Sequence, residues 1–463
     1  MTTPWTIEGA GKAMRAGETT SIELVTSMFA ASDSLDPLLG TYLVRLDEAA
    51  LAAAAQADQE LAEGRDRGPL HGIPLGIKDI LATDDAPTTC QSLVQDPAWG
   101  DRGDGPVLTR LREAGAVIMG KTTTMEYAIG RPDFSKPFPI PRNPWDAERW
   151  AGGSSSGTAN AVASGQVLGG LGTDTGGSVR MPAALCGISG HKPTFGLVPK
   201  SGCFPLGYSY DHIGPMCRSV WDCAAMLTVM AGADPSDRTT VDVDVPDYVA
   251  ALDGGVKGLR IGVISNESIR RYAAPETIAA FDEALATLVE AGATTTPVEV
   301  PLYDVLASAD FLGLQAEAYA YHRNNLAERW DDYGRPTRLL LATGAMISGG
   351  DLAQIDRVRQ VGREQIVRLF EQVDVLVSPT MGFGAQPFSG ADRRATSMRA
   401  MQCPVWNATG FPALAIPMGF DADTLPVSLQ IIGAPFDDAT CLRVGHAYQS
   451  MTDWHVRTAP HHA

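Results

Sequence analysis

Apolar and polar positions recur at two periods along the chain, and together they predict a mixed α/β fold. Short apolar runs occur in PLGIKDI, AVIMGK and VLGGLGTD, with the helical stretches VLTRLREAG and SGTANAVASG between them. Further along come VDVLVSPT, PALAIPMGF and VSLQIIGAP, near-continuous apolar runs that are typical of strands buried on both faces. We therefore expect a large, mixed, twisted β-sheet covered by helices on both faces.

The beginning of the chain is predicted to be helical throughout. Thr20 and Glu23 have the spacing of a capping box, and an alanine-rich stretch that starts at Leu46 ends at Gly64, a favourable C-cap. We expect residues 1–65 to form a helical lead-in to the rest of the chain.

The remainder, residues 66–463, is predicted to form one domain that carries an insertion. After residue 240 the sequence becomes a mixture of Asp, Pro and Gly, and then a strand, LRIGVIS, and a helix begin a new pattern. We expect an inserted helical region or subdomain over about residues 240–370.

Composition narrows the class of protein. A chain of 463 residues that is 44% hydrophobic can bury a large core, which favours a globular enzyme. Lys and Arg total 36 against 54 for Asp and Glu, and the net charge of −18 repels phosphate backbones. We therefore expect no nucleic-acid partner. The seven cysteines form an odd set without a CxxC pair, which argues against a disulfide framework or a zinc site.

Two segments indicate whether the protein is secreted or inserted in a membrane. The first residues, MTTPWTIEGAGKAM, have neither the basic start and apolar stretch nor the cleavage site of a secretory signal, so a cytoplasmic protein is expected. Residues 401–420 carry no charge, but they contain three prolines. We expect this stretch to be a loop followed by a buried strand, and we expect no membrane partner.

Candidate chemistry is concentrated in three segments, GIPLGIKDI, AGGSSSGTAN and GTDTGGSVRMPAALCG. Ser178 follows a Gly-Gly pair and opens a helix-like segment, where backbone amides and the helix dipole converge. Such a position meets the requirements of an oxyanion hole.

A serine nucleophile needs a base. None of the eight histidines stands in a GxSxG or HExxH arrangement. Lys78 lies in an apolar strand, where desolvation favours a neutral amine that can accept a proton. On that segment alone, a structural lysine paired with Asp79 or Asp174 is the better interpretation, and it is the other two segments that favour a catalytic role.

Taken together, the segments resemble the amidase signature family of serine hydrolases. The likeness is carried by GIPLGIKD, NPWD, GGSSSG, GTDTGGSVRMPA, GHKPTFGLVP and DHIGPM, which span roughly residues 70 to 216, and the flanking segments extend it over nearly the whole chain. One departure is Ser156, which stands where the family usually has glycine.

The resemblance implies a Ser-Ser-Lys triad. Ser178 would be the nucleophile, and Ser154, 24 residues earlier, would relay protons between Ser178 and Lys78. The peptide bond of Ser154 would be cis. The resemblance further implies an oxyanion hole and residues that support the site; these are the amides of Thr175, Gly176, Gly177 and Ser178, and the side chains of Ser155, Asp174 and Arg180.

The implied reaction is hydrolysis of an amide, or a related aryl amide or hydrazide, to a carboxylic acid and ammonia, an amine or hydrazine through an acyl-enzyme. No metal or organic cofactor is implied. The resemblance also implies a homodimer as one assembly, which the sequence itself does not show.

Two other classes of protein are weighed. The amidase subunit of a glutamine-dependent tRNA amidotransferase has the same triad, but it normally carries a tyrosine-rich stretch before an Arg-Thr-Leu segment. The corresponding region here is LLLATGAMISGGDLAQIDRVRQVGREQ. A stand-alone hydrolase is therefore favoured. A binding protein on an inactive amidase fold would be expected to lack one triad residue, and all three are present.

The substrate is the least determined feature. Aromatic and apolar residues near the motifs favour an uncharged, even aromatic, acyl group, and the candidates for contact with it are Tyr127, Trp150, Met181 and Tyr208. Packing in the core explains these positions equally well. A dicarboxylic monoamide would instead require an additional Arg or Lys in the pocket.

Overall fold

The computed structural model describes residues 6–100, 103–388 and 400–460. The strands are β1 Tyr42–Arg45, β2 Pro74–Lys78, β3 Val117–Thr122, β4 Arg142–Asn143, β5 Asp146–Trp150, β6 Gly169–Asp174, β7 Ser189–Lys192, β8 His212–Cys217, β9 Arg260–Ile264, β10 Thr294–Val298, β11 Val375–Pro379, β12 Ala413–Phe420 and β13 Pro426–Ile432.

The helices surround these strands. They are α1 Ile7–Ala16, α2 Ser21–Leu39, α3 Asp47–Ala62, α4 Pro97–Gly100, α5 Pro106–Glu113, α6 Ser156–Ala163, α7 Arg180–Cys186, α8 Val220–Met230, α9 Glu267–Arg271, α10 Pro275–Glu290, α11 Tyr303–Glu328, α12 Arg335–Thr343, α13 Gly349–Val367, α14 Pro404–Thr409 and α15 Asp438–Met451.

Eleven strands form one mixed sheet in the order β1-β3-β2-β6-β8-β7-β12-β13-β11-β9-β10, and β4 and β5 form a separate two-stranded sheet. Strands β3, β2 and β6 are parallel to one another, and so are β11, β9 and β10, while the central strands are antiparallel. Every residue of β2, β3, β6, β8, β11 and β13 is buried. Since successive side chains point to opposite faces, both faces of the sheet are covered. The expected fold class is confirmed.

The N-terminal segment contains the predicted helices and one strand that was not predicted. Thr20 and Glu23 form the capping box at the start of α2. Between α2 and α3, β1 pairs with β3 and forms one edge of the large sheet, because the segment TYLVR is rich in strand-favouring side chains. The helical lead-in is therefore attached to the sheet through a strand of its own.

The predicted insertion also contributes to the sheet. Strands β9 and β10 extend it beyond β11, and the 26-residue helix α11 packs against α12, α13 and α14. The division of the chain into a lead-in, a domain and an insertion stays a prediction.

The uncharged stretch at residues 401–420 differs from expectation, since a helix, α14, precedes strand β12. Pro404 lies in the first turn of α14, where a missing amide hydrogen costs nothing, and Gly410 ends the helix with a φ of 79°. Among the described helices, none is both long and apolar enough to cross a membrane.

Candidate active site

Lys78, the last residue of β2, lies completely buried among hydroxyl groups. Its Nζ is 2.6 Å from Ser154 Oγ and 2.7 Å from Thr173 Oγ1. Thr173 belongs to β6, the parallel neighbour of β2, so the register of the sheet brings it beside Lys78. A neutral amine in this position can accept the Ser154 proton while it donates to Thr173.

The two carboxylates that were alternative partners of Lys78 are bound elsewhere. Asp79 Oδ1 lies 2.9 Å from the buried Lys121 ammonium, and Asp174 Oδ1 lies 2.9 Å from Arg180 Nη2. Burial lowers the pKa of Lys78 from its ordinary 10.5 to about 7. The hypothesis of a structural lysine paired with Asp79 or Asp174 is therefore wrong in its partners, and the amine is suited to proton transfer near neutral pH.

Ser154 is held by a loop whose backbone bonds fix its position. The peptide bond between Gly153 and Ser154 is cis, as the resemblance implies. The Ser154 carbonyl accepts hydrogen bonds from the Met125 amide, at 3.2 Å, and from Thr124 Oγ1, at 2.9 Å. These two bonds leave the Ser154 hydroxyl facing Lys78.

The next two serines hold the loop together. Ser155 Oγ donates to the Thr173 carbonyl and accepts from the Thr173 amide, which ties the loop to β6. Ser156 Oγ donates to the Gly152 carbonyl at 2.6 Å. The hydroxyl of Ser155 therefore links the loop to β6, and the hydroxyl of Ser156 is used within its own loop.

The segment from residue 174 to residue 178, called here the Ser178 turn, connects β6 to the start of α7. The Ser155 amide donates to the Ser178 carbonyl at 3.2 Å, so the loop that carries Ser154 contacts the Ser178 turn directly. Asp174 accepts the amides of Gly177, at 2.7 Å, and Val179, at 3.1 Å. Because the Gly177 amide is engaged by Asp174, it is the least available of the four amides that were expected to hold an oxyanion.

Asp174 and Arg180 form a fully buried ion pair beneath the Ser178 turn. Burial alone would raise the pKa of the Asp174 carboxyl, but the charge of Arg180 holds it below its ordinary value. Asn407 Nδ2 donates to Asp174 Oδ1 at 2.8 Å, and Arg180 Nη1 donates to Gln430 Oε1 at 2.8 Å. This network connects the turn to α14 and β13.

A cavity of about 700 Å³ opens beside Ser178. Gly153 and residues 175–178 form its floor. Its walls are mainly apolar and include Met125, Ile129, Trp150, Met181, Phe311, Leu340, Met381, Phe383, Phe388 and Met401. Among the described residues, Arg131 is the charged side chain in the lining, and no Asp or Glu contributes to it. The cavity therefore suits an apolar group attached to a reacting carbonyl.

Two of the four residues expected to contact substrate lie in the cavity wall, and two do not. Trp150 and Met181 line it. Tyr127 instead packs its ring 4.3 Å from His322 and 5.0 Å from Phe204, in a buried aromatic cluster. Tyr208 is 45% exposed, and the Lys200 ammonium lies 4.5 Å from its ring. Proximity in sequence to the motifs placed these tyrosines near the site, but their neighbours in the fold direct both rings away from the cavity.

Sequence reasoning missed several residues of the site. Thr173, the second contact of Lys78, stands within the GTDTGGS motif and could have been found there. Asn407 and Gln430 have no local signal, since each meets Asp174 or Arg180 across more than 200 residues. Among the described residues, no cluster of His, Cys, Asp or Glu is arranged to hold a metal ion.

Comparisons with known proteins agree with this geometry. The family model described as Amidase matches residues 23–442. The A subunit of glutamyl-tRNA(Gln) amidotransferase from Chloroflexus aggregans is 39% identical over 98% of this chain and 97% of its own length. The structure of native peptide amidase from Stenotrophomonas maltophilia is 32% identical, with 98% of each chain covered and a TM-score of 0.85. A structure from a vestigial protein complex that reveals the origins of an s-triazine catabolic enzyme is 30% identical, covers 96% of this chain and 98% of its own, and has a TM-score of 0.90. The chain belongs to the Amidase family.

Proposed function

We propose that this protein hydrolyses the C–N bond of an amide with an uncharged, apolar acyl group, through an acyl-enzyme on Ser178. The observation that carries the proposal is the contact of 2.6 Å between the buried Lys78 amine and Ser154 Oγ, beside a Ser178 turn that forms the floor of an apolar cavity. A desolvated amine in contact with the hydroxyl of Ser154, in a loop whose next residue is hydrogen-bonded to the Ser178 carbonyl, supports the activation of a serine nucleophile.

In the first half of the reaction, Ser178 Oγ attacks the amide carbonyl carbon. Its proton passes to Ser154 while the Ser154 proton passes to Lys78 Nζ. The amides of Thr175, Gly176 and Ser178 stabilise the negative charge that develops on the carbonyl oxygen, and the Gly177 amide stays with Asp174. The proton then returns through Ser154 to the amide nitrogen, the C–N bond breaks, and ammonia or an amine leaves.

In the second half of the reaction, the same three side chains hydrolyse the acyl-enzyme. A water molecule attacks the ester carbon and gives its proton through Ser154 to Lys78. The proton returns to Ser178 Oγ as the ester bond breaks, and the carboxylic acid leaves. Hydrazides follow the same two halves with hydrazine as the leaving group.

The lining of the cavity supports an uncharged acyl group. Methionine and aromatic side chains such as Met181, Phe311 and Trp150 pair best with apolar surface. A glutamine zwitterion would need a carboxylate for its ammonium group, and no described residue of the lining supplies one. Arg131 is exposed at the cavity, so a monoamide that carries a distant carboxylate has to be included in the test.

A second candidate is a glutamine-hydrolysing subunit of a tRNA-dependent amidotransferase, which would act with partner proteins. It is favoured by the 39% identity to a relative of that name over 98% of this chain, which is higher than the 32% identity to the peptide amidase. The absence of an acidic residue from the described lining is the observation that places it second.

The test measures release of ammonia, amine or hydrazine by the isolated chain from an aliphatic amide, an aryl amide, an aryl hydrazide, a dicarboxylic monoamide and glutamine. Turnover of the apolar amides is expected. Ser178→Ala should reduce it by about four orders of magnitude or more, and Ser154→Ala and Lys78→Ala by at least about two. Ser156→Gly is the matched control, because its hydroxyl bonds only within the loop, and it should retain turnover.

Each other outcome has a definite meaning. Turnover of glutamine alone, or only after a partner protein is added, would establish the second candidate. Turnover of the monoamide without turnover of aryl amides would contradict the uncharged acyl group. Full activity in Ser178→Ala would contradict the proposed nucleophile.

A further inference from the structure

Asp310, on helix α11, is a completely buried carboxyl group outside the triad. Neither of its oxygens has a hydrogen-bond partner within the described part of the chain. It lies against the Ser178 turn, since a Cβ built on Gly176 would be 3.0 Å from Asp310 Oδ2. Its neighbour Phe311 lines the cavity. A buried acid without partners, pressed against a turn that forms the floor of the cavity, calls for a role.

The charges around Asp310 do not neutralise it by direct contact. Within the described residues, no Lys, Arg or His nitrogen lies within ion-pair distance of its oxygens. The ionisable groups that face it from the surrounding elements are Asp174 of β6, Arg180 of α7, Lys192 of β7, Tyr210, Arg359 of α13 and Cys403. Burial raises the pKa of the Asp310 carboxyl well above its ordinary value. Burial therefore favours the neutral form of this carboxyl over the ionised form.

We infer that Asp310 is a positioning residue for the amide-hydrolysis site: as a neutral carboxyl it packs against Gly176 and supports the Ser178 turn, and its ionisation sets the upper pH limit of turnover. This inference rests on the proposed function, because it concerns the turn whose amides would stabilise the oxyanion.

Both the charge and the shape of the side chain at position 310 affect the turn. A negative charge beside Gly176 would oppose the negative charge that develops on the carbonyl oxygen of the substrate, and in a buried site this repulsion lowers the rate by roughly tenfold to a hundredfold. An empty space beside Gly176 would let the turn shift from its position. A neutral side chain of the same shape avoids both effects.

The experiment compares kcat and KM of wild type, Asp310→Asn and Asp310→Ala on the best amide, from about pH 5 to about pH 10, with folding followed by circular dichroism. Wild type should lose activity at alkaline pH. Asp310→Asn, the neutral variant of the same shape, should keep kcat/KM within about threefold at pH 7 and lack the alkaline loss. Asp310→Ala should lower kcat by about tenfold or more with little change in KM.

Asp222→Asn is the matched control. Asp222 is also a completely buried acid whose pKa is raised by burial, to about 6, but it lies on α8, bonded to Ser219 and the Glu8 amide. This variant should keep the alkaline loss of the wild type. An unchanged alkaline loss in Asp310→Asn, or no alkaline loss in wild type, would overturn the inference.

Ser178→Ala separates the two levels of the argument. If it is inactive while Asp310→Asn behaves like wild type at alkaline pH, the inference fails and the proposed function stands. If Ser178→Ala stays active, the proposed function itself fails.

Discussion

Replacing Lys78 with methionine should abolish turnover. The free energy of unfolding of the variant, relative to that of the wild type, should be higher at acidic pH than at alkaline pH. The pKa of the buried amine is about 7 in the folded protein, against the ordinary 10.5 that applies to the unfolded chain. Below pH 7 both states hold the proton, so the folded state bears the full cost of a buried ammonium group. Between pH 7 and pH 10.5 the unfolded chain holds more protons, and the stability of the wild type therefore rises with pH.

The magnitude follows from the size of this window. Each pH unit within it adds about 1.4 kcal/mol to the free energy of unfolding of the wild type, so the gain from pH 7 to pH 9 is about 2–3 kcal/mol. Lys78→Met lacks the titrating group and should show none of this gain. The variant also loses contacts with Ser154 and Thr173, a cost of about 1–3 kcal/mol that does not change with pH.

The assay is urea unfolding of wild type and Lys78→Met at pH 6, 7, 8 and 9 at constant ionic strength, alongside amide turnover. The difference in the free energy of unfolding should shift by about 2–3 kcal/mol in favour of the wild type between pH 7 and pH 9. Lys12→Met, at an exposed position, controls for the removal of a positive charge. A difference that stays constant over the whole range would refute the argument, because it would mean that Lys78 does not lose its proton within it.

Three further predictions test other parts of the structure. Asp174→Ala leaves the buried Arg180 guanidinium without its carboxylate and should lower the free energy of unfolding by about 3–5 kcal/mol in urea denaturation. Asp374→Ala breaks a partly exposed ion pair with Arg260 and should lower it by at most about 1 kcal/mol. Equal effects of the two variants would contradict a special contribution of the buried pair to stability. Trp150→Ala should raise KM for bulky aryl amides several-fold in steady-state kinetics, while kcat stays near the wild-type value. An unchanged KM would contradict a contact between Trp150 and the substrate. Thr20→Ala removes the capping box of α2 and should lower the free energy of unfolding by about 1 kcal/mol in thermal denaturation, with no change in turnover. A loss of activity in this variant would contradict a purely local role of the Thr20 cap.

The Asp310 inference and the Lys78 prediction together describe a pH range for the site. In the proposed mechanism Lys78 accepts a proton as a neutral amine, which requires a pH near or above 7. The neutral carboxyl of Asp310 requires a pH below its own ionisation. We expect kcat/KM to rise and then fall with pH. Asp310→Asn should remove the falling limb, and the rising limb should lie in the pH range over which the Lys78 amine adds to the stability of the wild type.

The local sequence determined the elements that carry the chemistry. The apolar runs around Lys78 and before Ser178 predicted buried strands, and Gly-Gly-Ser followed by a helical segment predicted the turn, because strand burial and turn formation depend on neighbouring residues. The resemblance added the roles of Ser154 and its neighbours. The capping box at Thr20 is equally local, and it forms as predicted.

Only the tertiary structure decided which groups meet. Lys78 reaches partners 76 and 95 residues away, while the adjacent Asp79 pairs with Lys121. Strand β2 ends at Lys78 and the chain turns at Asp79, so the two adjacent side chains reach different partners. The walls of the cavity, the burial of Asp310 and the outward direction of Tyr208 depend on the packing of distant helices. Such contacts leave no periodic or local signal in the sequence.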